Sequence, residues 1–204
     1  RIGELLSAVP DVELHLVVSD AAKRTLLQEA GRDALGRLER MATLRHNIRD
    51  IGASIASGSF SSAGMVVAPC SMRTLSAIAS GISDNLLTRA ADVHLKERRR
   101  LVLIARESPL HLGHLRAMAS VTEYGGIILP PVPAFYHGPT TIEEIIDHIA
   151  RRAIDLLGLD MAPLAMPWTG GERPAYPGGR RSLQDGGLRA RHFSGSVSRR
   201  GPPI

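Results

Sequence analysis

The chain has 204 residues, 44 % of them apolar, and one cysteine, which is enough for one core of ordinary size and excludes a disulfide framework. Its net charge of +5 sits at the end: from Gly170 onward seven arginines face only Glu172 and Asp185, and the remainder balances at 18 basic and 18 acidic side chains. A neutral body with seven aromatics in all excludes a base-stacking nucleic-acid surface, and the longest apolar runs, such as Gly64 to Cys70, are too short to span a bilayer.

In chain order, residues 1–8 read as the end of a helix with no strand ahead of it. We therefore expect a sequence that lacks its first strand and first phosphate loop. Val12 to Val18 is a β-rich run, and Asp20 to Ala30 has helical spacing that stops at Gly31. Residues 32–50 are mixed, helix then loop. Gly64 to Pro69 is a second strand, followed by a helix from Ser71 to Ser80 that ends at Gly81. A further helix runs from Asp84 to Arg98, capped by Ser83 or Asp84. Arg100 to Ala105 is a third strand, His111 to Tyr124 a helix stopped by Gly125-Gly126, and Ile127 to Leu129 a short fourth strand. Thr141 to Leu157 forms the last helix, with Glu143 and Glu144 in its first turn.

Residues 1–169 thus form one domain, and residues 170–204 a separate tail. That tail holds eight glycines and four prolines against four of Leu, Ile or Val, so we expect it to be disordered, a solvated extension rather than an electrostatic arm. Nearly all-apolar strands separated by helices imply an α/β fold with a parallel sheet covered on both faces. Ligands in such sheets sit beyond the carboxyl ends of the strands. That rule directs attention to Ser19-Asp20, Pro69-Cys-Ser-Met-Arg-Thr, Arg106-Glu-Ser-Pro and Pro130-Pro-Val-Pro-Ala-Phe-Tyr.

Among motifs, G-x-x-x-x-G-K-[ST], a strand-linked G-x-G-x-x-G and G-x-S-x-G are all missing. His111 and His114 lie three apart without a third ligand in view, so no metal site is expected. The remaining chemistry is phosphate binding. Ala56-Ser-Gly-Ser-Phe offers the Ser57 hydroxyl beside a flexible glycine. Ser71 opens a helix after a strand, where its hydroxyl and the helix amides suit an anion and Arg73 adds charge. Arg89 and Lys96 stand two turns apart on one helix face. Arg98 to Arg100 read as a solvated helix end favoured by the dipole. Arg106-Glu107 lies at a strand's carboxyl end, and Tyr136 follows a stiff proline-rich turn.

Six blocks taken in order resemble the UbiX-type flavin prenyltransferases. They are Ala56-Ser-Gly-Ser-Phe, Pro69-Cys-Ser-Met-Arg-Thr, Asp84-Asn-Leu-Leu-Thr-Arg-Ala-Ala-Asp-Val, Leu95-Lys-Glu-Arg-Arg, Arg106-Glu-Ser-Pro-Leu and Pro130-Pro-Val-Pro-Ala-Phe-Tyr. The second block and Asp-Asn-Leu-Leu are also similar to the wider flavin-dependent cysteine decarboxylases. The resemblance runs from about Glu13 to Trp168 and implies a flavodoxin-like, doubly wound fold, with FMN as acceptor and dimethylallyl monophosphate as prenyl donor. It further implies a homo-oligomer, typically a dodecamer with sites between subunits, and delivery of prenylated FMN to a UbiD-type decarboxylase. A cytoplasmic protein without membrane or nucleic-acid partners, linked to ubiquinone biosynthesis, is the expectation.

Residue by residue, the resemblance implies that Ser19, Ser71, Met72, Arg73, Thr74 and Arg106 contact FMN. Ser57, Arg89, Lys96, Tyr136 and Arg152 match the cradle of the donor phosphate, and Trp168 a C-terminal tryptophan. Glu107 matches the acidic residue near the flavin ring and is the candidate base or relay as prenyl C1 joins N5 and the ring closes at C6. Glu107, Lys96 and Arg89 are thereby the expected catalytic residues. Two rivals are an FMN-dependent decarboxylase of the same superfamily, whose catalytic His and substrate-clamping segment we do not find, and a non-catalytic flavin carrier or assembly subunit. A carrier has no use for a cradle around a leaving group.

Overall fold

A strand buried on both faces is the element that organises this chain. In the computed structural model, which describes residues 1–168 and 170, that strand is Arg100–Ala105. Leu101, Leu103 and Ala105 point to one face and join a cluster with Val67, Leu75, Ile78, Ala91 and Val121. Val102 and Ile104 point to the other and pack with Ala153 and Leu157, backed by Ile2 and Ile149. Period-two alternation with apolar residues on both sides is what a sheet sandwiched between helix layers demands.

The strands in chain order are β1 (His15–Val17), β2 (Leu44–His46), β3 (Gly64–Cys70), β4 (Arg100–Ala105) and β5 (Ile127–Ile128). All pairings are parallel, in a two-stranded ladder β1-β2 and a three-stranded ladder β3-β4-β5. The helices are α1 (Ile2–Ser7), α2 (Asp20–Ala30), α3 (Ala34–Met41), α4 (Met72–Ala79), α5 (Leu86–Lys96), α6 (Leu112–Glu123) and α7 (Ile142–Asp155). This is a flavodoxin-like arrangement of parallel strands with flanking helices. Among the described residues no helix is long and apolar enough to cross a membrane. The tail expected to be disordered lies outside the described residues, Gly170 excepted.

Local chemistry explains the element boundaries. Ser19 caps α2 by accepting the Ala22 amide proton, and Gly31 at φ 85 ends it in a conformation that favours glycine. Thr141 and Glu144 close a capping box on α7. At α5 the cap is Asn85, one residue beyond the expected Ser83 or Asp84, because Asn85 and Thr88 exchange side-chain and backbone hydrogen bonds in a box of their own. The C-terminus of α5 closes differently. Arg98 takes φ 57, its amide donates to Leu95 O, and the Arg99 amide donates to His94 O, a Schellman motif with arginine in the left-handed position.

One strand escapes the sequence reading. In β2, expected to be loop, the two amides of Thr43 and Leu44 donate to Leu14 O, and Leu44 is itself exposed. The strand exists by backbone pairing to β1 rather than by apolar alternation. Cys70, at the end of β3, has no exposed surface, and burial pushes its thiol up to about 12.

Candidate active site

The carboxyl ends of β3 and β4 form the first group. Ser71 is the N-cap of α4: its Oγ accepts from Thr74 N at 3.3 Å and donates to Thr74 Oγ1 at 3.2 Å. Met72 is buried beneath this turn, which fixes the start of the helix. Arg73 extends outward and donates to Asp84 at 2.7 Å, holding that carboxyl below its usual range. Arg106 follows β4, where its amide donates to Cys70 O at 3.3 Å and ties it beside Ser71. Its guanidinium meets Glu29 of α2 at 2.9 Å. Both arginines are exposed and, among the described residues, their guanidinium groups are held only by surface ion pairs, which exchange readily for a better anion. Glu107 is exposed next to Arg106, and its Oε1 accepts from Ser108 N at 3.2 Å.

Ser19 has its Oγ engaged by the Ala22 amide, and it follows Val18, which lines a cleft of about 190 Å³ together with Lys23, Arg45 and His46.

The second group joins the loop after the Ser54–Ala56 turn to the end of α5. Ser57 Oγ and Ser59 Oγ share a hydrogen bond of 2.8 Å. Gly58 between them approaches so closely that an added Cβ would lie 2.6 Å from Lys96 Nζ and overlap Glu97. Lys96 pairs with Glu97 at 2.5 Å, which holds that carboxyl below its usual range. Two turns earlier, Arg89 pairs with Asp92 at 3.0 Å. The loop and helix thus bring Gly58, flanked by Ser57 and Ser59, against Lys96.

Arg99 corrects the reading of Arg98 to Arg100 as a solvated helix end. Its guanidinium is half-buried and donates to Gly58 O and Phe60 O, both at 2.6 Å. Neither acceptor is deducible from sequence, since they lie 41 and 39 positions away.

The third group surrounds Tyr136, which stands in a 3-10 turn (Phe135–His137) and meets Trp168 edge-on at 5.1 Å between ring centroids. Buried His137 meets Tyr136 at 4.3 Å and His148 of α7 at 4.8 Å between ring centroids, the planes tilted by 50° and 52°. Arg152 is one turn beyond His148 and pairs loosely with Asp155 at 3.8 Å. Burial, His137 and the Arg152 charge all depress the His148 basicity. Neither histidine has a telltale spacing in the sequence, so their pairing is not legible there.

Among the described residues no hydrogen bond or ion pair links Tyr136 or Arg152 to Ser57, Arg89 or Lys96. The chain therefore presents three groups: Ser71 with Arg73, Thr74 and Arg106; Ser57 with Lys96 and Arg89; Tyr136 with Trp168 and Arg152. Nor do the described residues contain a set of three or more His, Cys, Asp or Glu placed to hold a metal ion.

Comparison with known proteins adds to this geometry. A family model described as Flavoprotein matches residues 1–153. The chain is 54 % identical over 172 residues to the flavin prenyltransferase UbiX of Thauera aromatica, covering 84 % of this chain and 87 % of that one. It is similar to the crystal structure of AnUbiX in complex with FMN and dimethylallyl pyrophosphate, with a TM-score of 0.77, 47 % identity and coverage of 84 % and 90 %. A dodecameric FMN-dependent UbiX-like decarboxylase from Escherichia coli O157:H7 aligns with a TM-score of 0.78, 43 % identity and coverage of 83 % and 90 %.

Proposed function

The chain belongs to the UbiX-type flavin prenyltransferases within the Flavoprotein family, and from that membership we propose that it transfers a dimethylallyl group from dimethylallyl monophosphate to N5 and C6 of reduced FMN. The observation that carries this reading is the closure of the Ser57–Ser59 loop on Lys96: Gly58, with no Cβ, lets the loop lie against the ammonium, and the serine hydroxyls on either side of it bond to each other. Such a site suits a small phosphate, and a flavin carrier would not need it.

The residues at the first group fit FMN. A hydroxyl-capped helix start, with two guanidinium groups in exchangeable surface pairs, is a donor set for a phosphorylated, polar ligand. Ser71, Thr74, Arg73 and Arg106 are its holders, with Met72 shaping the turn from below and Ser19 contributing from the start of α2. Reduced FMN supplies the nucleophilic atoms.

The chain's own residues act on charge and protons. Breaking the allylic C–O bond leaves the electron pair on phosphate, a poor leaving group unless fixed donors meet it. Lys96, Arg89, Arg152 and the Tyr136 hydroxyl supply these, with Ser57 as a neutral partner. Because Tyr136 and Arg152 stand in a separate group, we infer that the cradle is completed between subunits of a homo-oligomer, as a dodecamer provides. Val132, Phe135, Ile142 and Trp168 support this, since each leaves more than half of its apolar surface uncovered on the side of the third group. Glu107 has Oε1 engaged by the Ser108 amide and Oε2 available to take the proton released at C6. The product then serves a UbiD-type decarboxylase in the cytoplasm, in keeping with a single cysteine.

The test is to incubate the purified protein with reduced FMN and dimethylallyl monophosphate and weigh the flavin. A gain of one five-carbon unit with a fourth ring is expected. Unmodified flavin overturns the proposal, and carbon dioxide release from a carboxylic acid with unmodified flavin favours a decarboxylase.

A further inference from the structure

Loops that hold a small anion need their own backbone held. The segment from Ser57 to Ser62 belongs to no ladder, and its carbonyls at Gly58 and Phe60 accept from Arg99. A buried or half-buried carbonyl without a partner is costly, so this contact decides where the loop lies. Arg99 is aimed there by the turn before it: with Arg98 left-handed and the Arg99 amide bonded to His94 O, the chain doubles back onto the loop.

A second link runs beside the first. His94 is buried, its Nδ1–H donates to Ala90 O at 2.7 Å, and the remaining nitrogen, Nε2, accepts from the Ser62 hydroxyl at 2.9 Å. Arg99 Nη1 reaches the same hydroxyl at 3.5 Å. The far end of the loop is thereby tied to the same helix that carries Arg89 and Lys96. Gly58, held at the first anchor, lies against the Lys96–Glu97 pair.

We propose that Arg99, assisted by His94 through Ser62, is a positioning residue for the prenyl donor: it clamps the Ser57–Ser62 loop to α5 so that the Ser57–Gly58–Ser59 turn lies against Lys96. The inference rests on the reading of Ser57 and Lys96 as part of the donor-phosphate cradle. It assigns to the arginine run after Lys96 a task that solvation of a helix end does not include. Arginine suits it because two nitrogens of one planar group reach two carbonyls at once, which a lysine ammonium cannot do with the same geometry.

The test uses the full chain with Arg99→Ala, Arg99→Lys, Ser62→Ala and Lys96→Ala, measuring donor KM and kcat, FMN affinity, and amide hydrogen exchange without ligand. Arg99→Ala is expected to raise donor KM about tenfold or more, from the loss of charge-assisted contacts. FMN affinity should stay within about twofold, and exchange should quicken at amides 58–62 but not in β4. Arg99→Lys is expected to recover part of the loss, and Ser62→Ala to give a smaller rise. An unchanged donor KM in Arg99→Ala, or FMN affinity falling in step with it, overturns the clamp. If Arg99→Ala does not fold, wild-type donor KM in both Arg99→Lys and Ser62→Ala overturns it equally. Lys96→Ala separates the two failures. A large donor effect there with none from Arg99 overturns the clamp alone, whereas no effect from either overturns the cradle assignment and the clamp with it.

Discussion

Replacing Lys96 by alanine probes the proposed cradle most directly, because among the described residues Lys96 Nζ has a single hydrogen-bond partner, Glu97 at 2.5 Å. An incoming phosphate competes with that carboxylate for the ammonium. Removing the ammonium deletes one charge-assisted contact, worth about 1.5–3 kcal/mol. Since Lys96 is 46 % exposed, solvent screens the charge and the lower end applies. That corresponds to a rise in donor KM of roughly tenfold. The variant also leaves Glu97 facing the phosphate with no counter-charge, a like-charge repulsion that wild type does not have. Adding Glu97→Gln should therefore win back part of the loss, so the double variant binds the donor better than Lys96→Ala alone. The assay is steady-state kinetics with varied dimethylallyl monophosphate at saturating reduced FMN, alongside flavin affinity measured by fluorescence. Unchanged donor KM, a loss confined to flavin affinity, or a double variant worse than the single one would refute the reasoning.

Glu107→Gln should keep flavin affinity and lower kcat, because the amide preserves the contact with Ser108 but accepts no proton; turnover at the wild-type rate removes Glu107 from the chemistry. Stability should fall as pH drops below about 6.5, since burial depresses His94 and His148 below that ordinary value and the unfolded chain then binds protons that the folded one refuses. The sign is that of a depressed base: full stability above the unfolded value, loss on acidification. His94→Gln should flatten the slope of urea stability between pH 7.5 and pH 5.5 by up to about 1.4 kcal/mol per pH unit, and an identical slope counts against it. Arg98→Gly relieves a left-handed non-glycine residue at φ 57 and, after the entropy that glycine adds to the unfolded chain, should raise stability by about 0.5–1 kcal/mol. A melting temperature about 1–4 °C higher is expected, and a lower one shows that the arginine side chain has a use we have not identified.

What the sequence could disclose follows from how local each cause is. α2 is readable to the residue because Ser19 and Gly31 adjoin it, and β4 because its apolar run is unbroken. Ser57, Lys96 and Arg89 are legible as candidates for phosphate chemistry by residue type and, in order with their neighbours, by family resemblance, and their place in the cradle is the proposal made above. β2 is not legible, since its stabilising partner is the β1 backbone and its own side chains carry little apolar signal. Arg99 is illegible for a related reason. Three consecutive arginines look alike in sequence, and only the left-handed turn at Arg98 selects the one that folds back. The Asn85 cap shows the same limit at short range: Ser83, Asp84 and Asn85 are all good caps, and the reciprocal bond from Thr88 decides among them.

The burial of Cys70 has a practical consequence. With its ionisation pushed up to about 12 and no surface exposed, the thiol at neutral pH is thiolate to roughly one part in a hundred thousand, and no reagent can reach it in the closed sheet. Alkylation therefore proceeds only through molecules in which β3 has parted from its neighbours. The labelling rate, divided by that of an unstructured thiol, becomes a direct clock for how often the centre of the sheet opens. One sulfur atom thus offers a built-in reporter of core breathing, free of any interfering second cysteine.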